Sequence, residues 1–152
     1  MDIPITLPLD SDGFLRRECP HCEQQFKWHS GPANAEAEDQ ATPPSYHCPF
    51  CGQPAGPDSW WTSEQGEYAE GVAAPAALNY MRDELADAFR GNKYIKFESG
   101  GVGDLPDQPQ GLTEPDDMEI VTSPCHAYEP VKVPDSSAGP FHCLVCGALF
   151  ST

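Results

Sequence analysis

Seven cysteines carry most of the chemistry that this sequence could perform, and six of them stand in Cys-x-x-Cys pairs. Such a turn places two thiolates within reach of one ion, and two turns together complete the tetrahedral coordination that zinc prefers. The first two pairs are separated by residues 23–47, so two hairpins could meet at one ion. They predict a closed, structural site with four thiolate ligands: Cys19, Cys22, Cys48 and Cys51.

A seven-residue phrase that surrounds the second pair is repeated around the third. The sequence YHCPFCG occupies 46–52, and FHCLVCG occupies 141–147. Further upstream, 125–133 (CHAYEPVKV) aligns with 19–28 (CPHCEQQFKW) when one deletion is allowed. The chain is therefore predicted to contain two related metal units, the first with a long inserted loop and the second compact.

The second unit lacks one cysteine, because Tyr128 stands where Cys22 stands in the first. His126 is the nearest replacement, since an imidazole is a normal zinc ligand. It is also adjacent in sequence to another ligand, which is awkward geometrically, so four alternatives stay open: His142, Glu129, a bound water, or a unit that has lost its metal. The predicted second ligand set is Cys125, His126, Cys143 and Cys146.

Two equivalent histidines precede the repeated Cys-x-x-Cys turns. His47 stands before a turn whose unit already has four cysteines, and His142 occupies the matching place in the second unit. This parallel favours a role for both histidines in supporting the strand or the ligands rather than in binding the ion.

The residues around the first four cysteines resemble those of zinc ribbons. Gly52 directly follows the last cysteine and suits a left-handed turn. Phe26 and Trp28 alternate about Lys27 and could shield the site from one side, with Tyr46 on the other. The resemblance covers about half of the chain and implies short β-hairpins held together by structural zinc.

Rubredoxin-like proteins also pair two Cys-x-x-Cys turns, the second often written CPxCG, and 48–52 (CPFCG) resembles that motif. This resemblance implies electron transfer at a four-cysteine iron site as an alternative. The first turn departs from the pattern, because Glu23 follows Cys22 where that family usually has glycine. Zinc at both sites is the favoured prediction.

Composition argues against one large core and against anionic partners. The chain has 152 residues with 17 Pro and 13 Gly, and its formal charge is −16. Residues 98–124 contain seven carboxylates and no Lys or Arg. Such a surface repels nucleic acid and anionic lipid and favours a protein partner with a basic patch.

The remaining segments must position the metal units. A possible capping box at 62–65 opens a helical stretch, Pro75 should interrupt it, and Gly91 is placed to end it. The sequence thus predicts a small metal-stabilised α+β protein, two zinc ribbons joined by a helical segment and an acidic flexible linker. Its segments are a lead at 1–13, the first ribbon at 14–61 with a mobile loop at 31–45, a helical segment at 62–91, a short strand and linker at 92–117, and the second ribbon at 118–152.

Function follows from these expectations only in outline. No HExxH, no phosphate-binding loop and no nucleophile elbow is present, so a non-enzymatic zinc protein is predicted. It would act as an adaptor, regulator or inhibitor of another protein, with a nucleic-acid-associated factor as the alternative. The N-terminus does not resemble a secretory signal, and the longest apolar run, 72–78, is too short to span a membrane. A cytoplasmic location is therefore expected.

Overall fold

The computed structural model describes residues 4–91 and 109–152, which fall into two compact units. One unit contains 7–63 and 113–152 and holds all seven cysteines. The other contains 1–6 and 64–112, and its main element is a long helix. The predicted strand at 93–98 and most of the predicted linker lie outside the described residues.

Two metal units share one antiparallel sheet in the cysteine-containing unit. The strands are β1 (Phe14–Glu18), β2 (Gln25–His29), β5 (Met118–Val121) and β6 (Val131–Pro134). They lie in the order β1, β2, β6, β5. The first metal unit supplies β1 and β2, the second supplies β5 and β6, and β2 pairs with β6 so that Lys27 lies opposite Lys132. The two predicted ribbons, expected to be joined only by a helical segment and a linker, thus share one sheet.

Two short hairpins present the repeated Cys-x-x-Cys turns. Strand β3 (Tyr46–His47) pairs with β4 (Pro54–Ala55), and β7 (Phe141–His142) pairs with β8 (Leu149–Phe150). Each pair encloses one CxxCG turn, so the phrase repeated in the sequence is also a repeated hairpin.

Alternation along the central strands gives the sheet two different faces. Phe26 and Val133 are fully buried in an apolar cluster that includes Cys19, Cys48 and Trp60. Lys27, next to Phe26 in β2, points to the opposite face because successive side chains alternate. The apolar face therefore packs with the cysteine turns, and the other face carries buried cations.

Acidic segments cover that second face. Lys27 and Lys132 are 0% and 2% exposed, and both ammonium groups contact Asp10 Oδ2, at 3.2 and 2.8 Å. Glu114 pairs with Lys27 at 3.0 Å and with Arg16 at 2.9 Å. The stretch around Glu114, expected to be flexible linker, is thus fixed by ion pairs, because buried ammonium groups require carboxylate partners.

The loop at 31–45 also differs from expectation. It contains a one-turn helix, α1 (Ala35–Glu38), whose N-cap Asn34 accepts a hydrogen bond from the Ala37 amide. Ala37 is 6% exposed. The loop was predicted to be mobile, but a capped turn with a buried alanine gives it a defined conformation.

Helix α2 runs without interruption over Ser63–Ala88, so the predicted break at Pro75 is wrong. Proline has no N–H, so Pro75 cannot donate the i→i−4 hydrogen bond to the Gly71 carbonyl, but the helix continues through it. Gly91 has a φ of +82°, as expected just beyond a helix end.

The apolar stripe of α2 is only partly covered. Met81 is 57% exposed and Leu85 is 44% exposed. Both side chains are therefore largely accessible on this helix. Among the described residues, neither helix has the length and apolar character needed to cross a bilayer.

Candidate metal centres

The first cluster brings together the four sulfurs that the spacing predicted. Cys19 Sγ lies 3.7 Å from Cys51 Sγ, and Cys22 Sγ lies 3.7 Å from Cys48 Sγ. A tetrahedral zinc with Zn–S bonds of about 2.3 Å requires sulfur–sulfur edges of roughly 3.8 Å. All four ligand atoms lie within 4.8 Å of one another. The donor set and its spacing therefore fit one tetrahedral ion.

Backbone amides aim the sulfurs of this cluster. The amide of His21 donates to Cys19 Sγ at 3.3 Å, and the amide of Phe50 donates to Cys48 Sγ at 3.3 Å. Each turn is closed by a left-handed residue, Gly52 with φ +74° and Glu23 with φ +61°. Glu23 thus adopts the conformation that glycine usually supplies, which costs about 1–2 kcal/mol for a residue with a side chain.

The close packing of four thiols favours the binding of a cation at this cluster. Burial and the neighbouring Cys19 raise the pKa of Cys48 far above its usual range. The pKa of Cys19 is lowered: burial opposes ionisation, but hydrogen bonds from the Cys22 and His21 amides outweigh it. Four sulfurs this close cannot all ionise without a cation between them. A metal ion held between the four sulfurs would supply that charge.

The second cluster includes the replacement ligand. Cys125 Sγ lies 3.6 Å from Cys146 Sγ, and His126 Nδ1 lies 3.4 Å from Cys143 Sγ. All four ligand atoms lie within 4.8 Å of one another. Three thiols and one imidazole form a set that structural zinc sites use. Cys125 and Cys146 are exposed, whereas Cys143 is buried.

Ser123 supports this cluster and was missed in the sequence. Its hydroxyl donates to Cys143 Sγ at 3.3 Å and accepts from the His126 amide at 3.3 Å. Burial raises the pKa of Cys143, but hydrogen bonds from Ser123 and from two amides outweigh burial and lower it to about 6. A serine two residues before a cysteine is a weak signal, because serine is common in loops.

The alternative ligands lie elsewhere. His142 packs against Gly52 of the other unit: a Cβ added at Gly52 would stand 2.7 Å from His142 Nδ1. His47 packs in the same way against Gly147: a Cβ added at Gly147 would stand 2.7 Å from His47 Cδ2. Glu129 does not belong to the cluster and instead lines a cavity.

Matching backbone hydrogen bonds accompany these contacts. The His47 amide donates to the Leu144 carbonyl at 2.8 Å, and the His142 amide donates to the Pro49 carbonyl at 2.8 Å. Leu144 and Pro49 occupy the same place in the repeated phrase. The two metal units are therefore related by an approximate twofold axis, and each histidine supports the Cys-x-x-Cys turn of the other metal unit.

Aromatic side chains pack beside the first cluster. Phe26 and Trp60 meet edge to face with ring centroids 5.7 Å apart. Trp28 and Tyr46 lie 4.8 Å apart. Trp61 is 40% exposed, and the Arg17 guanidinium lies 5.8 Å from its ring centroid. Trp60 belongs to the core, and Trp61 does not.

Of the functions that the sequence predicts, metal binding is supported directly by the structure. The chain contains two clusters compatible with zinc binding, one with four cysteines and one with three cysteines and a histidine. No family model, no curated protein and no solved structure matches this chain.

Proposed function

We propose that this protein is a non-enzymatic zinc protein whose two zinc ribbons form one scaffold that binds a basic protein partner. The observation that carries the proposal is the pair of four-ligand sets. A zinc ion with four protein ligands has no open position for water or substrate, so its role is structural. Zinc at both sites would supply folding free energy that the small core cannot, on the order of 10 kcal/mol per site.

Charge supports the choice of a basic partner. The chain carries 24 carboxylates against eight Lys and Arg. Arg16, Lys27 and Lys132 are already paired with carboxylates of the same unit. This excess of carboxylates would attract a basic patch and speed the encounter with it.

The same ion pairs weaken the nucleic-acid alternative. Its local support in the sequence is Arg16, Arg17 and Lys27. Lys27 is fully buried, and Arg16 is bound by Glu114 and by Asp117, the latter at 2.7 Å. A phosphate backbone needs accessible cations, which these residues supply poorly.

Affinity capture with tagged, zinc-loaded protein tests the proposal. Eluates are analysed for protein and nucleic acid after washes at low and at moderate salt, and the metal is identified by elemental analysis. A stoichiometric basic protein that dissociates as salt rises is the expected result, with two equivalents of zinc. Nucleic acid alone would overturn the partner class, and a coloured iron protein would favour electron transfer.

A further inference from the structure

A cavity of about 290 Å³ lies within the cysteine-containing unit, where the inserted loop folds over the end of the central sheet. Residues from several elements line it: Trp28 and His29 from β2, Ala37 from α1, Tyr46 from β3, and Glu129 and Leu144 from the second metal unit. Neither metal cluster includes any of these residues. The cavity is therefore a site distinct from both metal centres.

One carboxylate, that of Glu129, lines this cavity. Glu129 is half-buried, and among the described residues no Lys or Arg forms an ion pair with it. Burial raises the pKa of Glu129, while nearby His29 partly offsets that effect. His29 Nδ1 is held by the backbone, because it donates a hydrogen bond to the Gly31 carbonyl at 3.1 Å.

Aromatic rings form a wall beside this carboxylate. Trp28 and Tyr46 are half-buried, with ring centroids 4.8 Å apart and planes inclined by 39°. Burial and the charge of Glu129 raise the pKa of the Tyr46 hydroxyl, so Tyr46 lies within the field of that carboxylate. Arg17 lies 5.2 Å from the Trp28 ring centroid, but it does not line the cavity.

The inserted loop adds negative charge to the surroundings. It carries Glu36, Glu38 and Asp39 and no Lys or Arg. Glu36 is close enough to raise the pKa of Tyr128, the residue before Glu129. The cavity thus combines an apolar wall with a negative potential, and cations with hydrophobic bodies satisfy both features.

We propose that this cavity binds an organic cation, an alkylammonium or guanidinium group whose charge pairs with Glu129 and whose alkyl part packs on Trp28 and Tyr46. The volume suits one extended side chain or a small amine better than a drug-sized molecule. The group could belong to a free metabolite-sized amine or to a lysine or arginine of a protein. The site is thus independent of whether a protein partner exists.

The test uses the full, zinc-loaded chain and three matched probes. N-acetyl-lysine methylamide and N-acetyl-arginine methylamide carry the cation, and N-acetyl-norleucine methylamide has a similar body without charge. Binding is followed by the NMR signal of the Trp28 indole N–H, assigned with Trp28→Phe. We expect saturable shifts with at least one cationic probe and binding of norleucine weaker by about tenfold or more, the range for losing a charged partner.

Three variants locate the charge. Glu129→Gln keeps the shape and should weaken binding of the cation by about tenfold, whereas Glu119→Gln, an exposed carboxylate on β5, should leave it unchanged. Thr42→Lys places an ammonium group at the cavity rim and should compete with the probe. Zinc content and circular dichroism establish that each variant is folded.

Each outcome decides the proposal. Equal binding of the norleucine probe, no saturable shift with either cation, or full affinity in folded Glu129→Gln would overturn it. Comparison of agmatine with a nonapeptide that has a central arginine then distinguishes the sources. Tighter binding of agmatine indicates a free amine, and tighter binding of the peptide indicates a protein side chain; both support the cation site.

Discussion

The imidazole of His142 lies directly against Gly52, the residue that completes the Cys-x-x-Cys-Gly turn of the other metal unit. The same contact occurs between His47 and Gly147. A side chain at either glycine would occupy the space of the histidine ring. The glycines therefore serve two purposes, a left-handed backbone conformation and room for a neighbour.

Gly52→Ala should be markedly more destabilising than Gly31→Ala. Both glycines have positive φ, +74° and +81°, but a Cβ at Gly31 would meet nothing within 4 Å. The backbone term costs about 1 kcal/mol in each variant, and displacement of His142 adds about 1–3 kcal/mol in the first alone. Denaturant unfolding of the zinc-loaded proteins measures the difference. Equal losses would show that the histidine moves without cost.

Glu23→Gly should stabilise the protein by roughly 1 kcal/mol. Glu23 adopts a φ of +61° at the end of the first cysteine turn, and glycine adopts that conformation without a steric penalty. Glu23→Ala keeps the backbone penalty and removes the charge, so it should change the free energy of unfolding by less than about 0.5 kcal/mol. If alanine stabilised as much as glycine, charge rather than backbone conformation would be the cause.

His126→Ala should weaken metal binding at the second site by roughly 100-fold or more, since one of four ligands to an ion bound with about 10–16 kcal/mol is lost. His21→Ala, at an exposed histidine outside both clusters, should have no effect. Titration with Co²⁺, followed by its thiolate absorption bands, reports each site.

His126→Cys gives a second measure of the same assignment. It should retain two equivalents of Co²⁺ and strengthen the thiolate bands. Unchanged affinity in His126→Ala would instead place the fourth ligand elsewhere, whatever the effect on folding.

Asp10→Asn should destabilise the cysteine-containing unit by about 3 kcal/mol, the range for removing one partner from a buried ionic group. Asp10 accepts from both Lys27 and Lys132. Asp12→Asn is the control: Asp12 pairs with Lys132 at 2.7 Å, but its side chain is 58% exposed, so the cost should stay below about 1 kcal/mol.

The pH dependence of this effect has a defined sign. Burial opposes ionisation of Asp10, but hydrogen bonds from Lys132, the Phe14 amide and Lys27 outweigh burial and lower its pKa to about 2. A lowered pKa means that the stabilisation is complete above the ordinary value near 3.8 and is lost as pH falls towards 2. The difference between wild type and Asp10→Asn should therefore be equal at pH 7 and pH 5.5. A difference that changes across this interval would contradict the lowered pKa.

The sequence predicted those features of the metal sites that depend on residues close together in the chain. The grouping of Cys19, Cys22, Cys48 and Cys51 follows from two turns that each place thiolates side by side, and the structure assembles them. The supporting role of His47 and His142 was also visible in the repeat. Their contact with glycines of the opposite unit was not, because nothing in either phrase indicates that the two hairpins meet.

Long-range pairing explains the larger differences. Lys27 alternates with Phe26 and Trp28, a pattern typical of a solvent-exposed residue, yet it is fully buried. Its partners, Asp10 and Glu114, lie far away in sequence and could not be matched to it without knowledge of the fold. The acidic stretch around Glu114 was interpreted as solvated linker for the same reason, since its charge was counted but its cations were not located.

Because β2 pairs with β6, the two metal units of this one polypeptide contact each other as the two subunits of an isologous dimer do. In such an interface the same surface patch of each subunit forms the contact. Accordingly, the contact of His142 with Gly52 has its equivalent in the contact of His47 with Gly147. A true dimer would separate on dilution, whereas covalent linkage fixes the effective concentration of one half near the other. Loss of metal from one metal unit should therefore destabilise the other metal unit at any protein concentration.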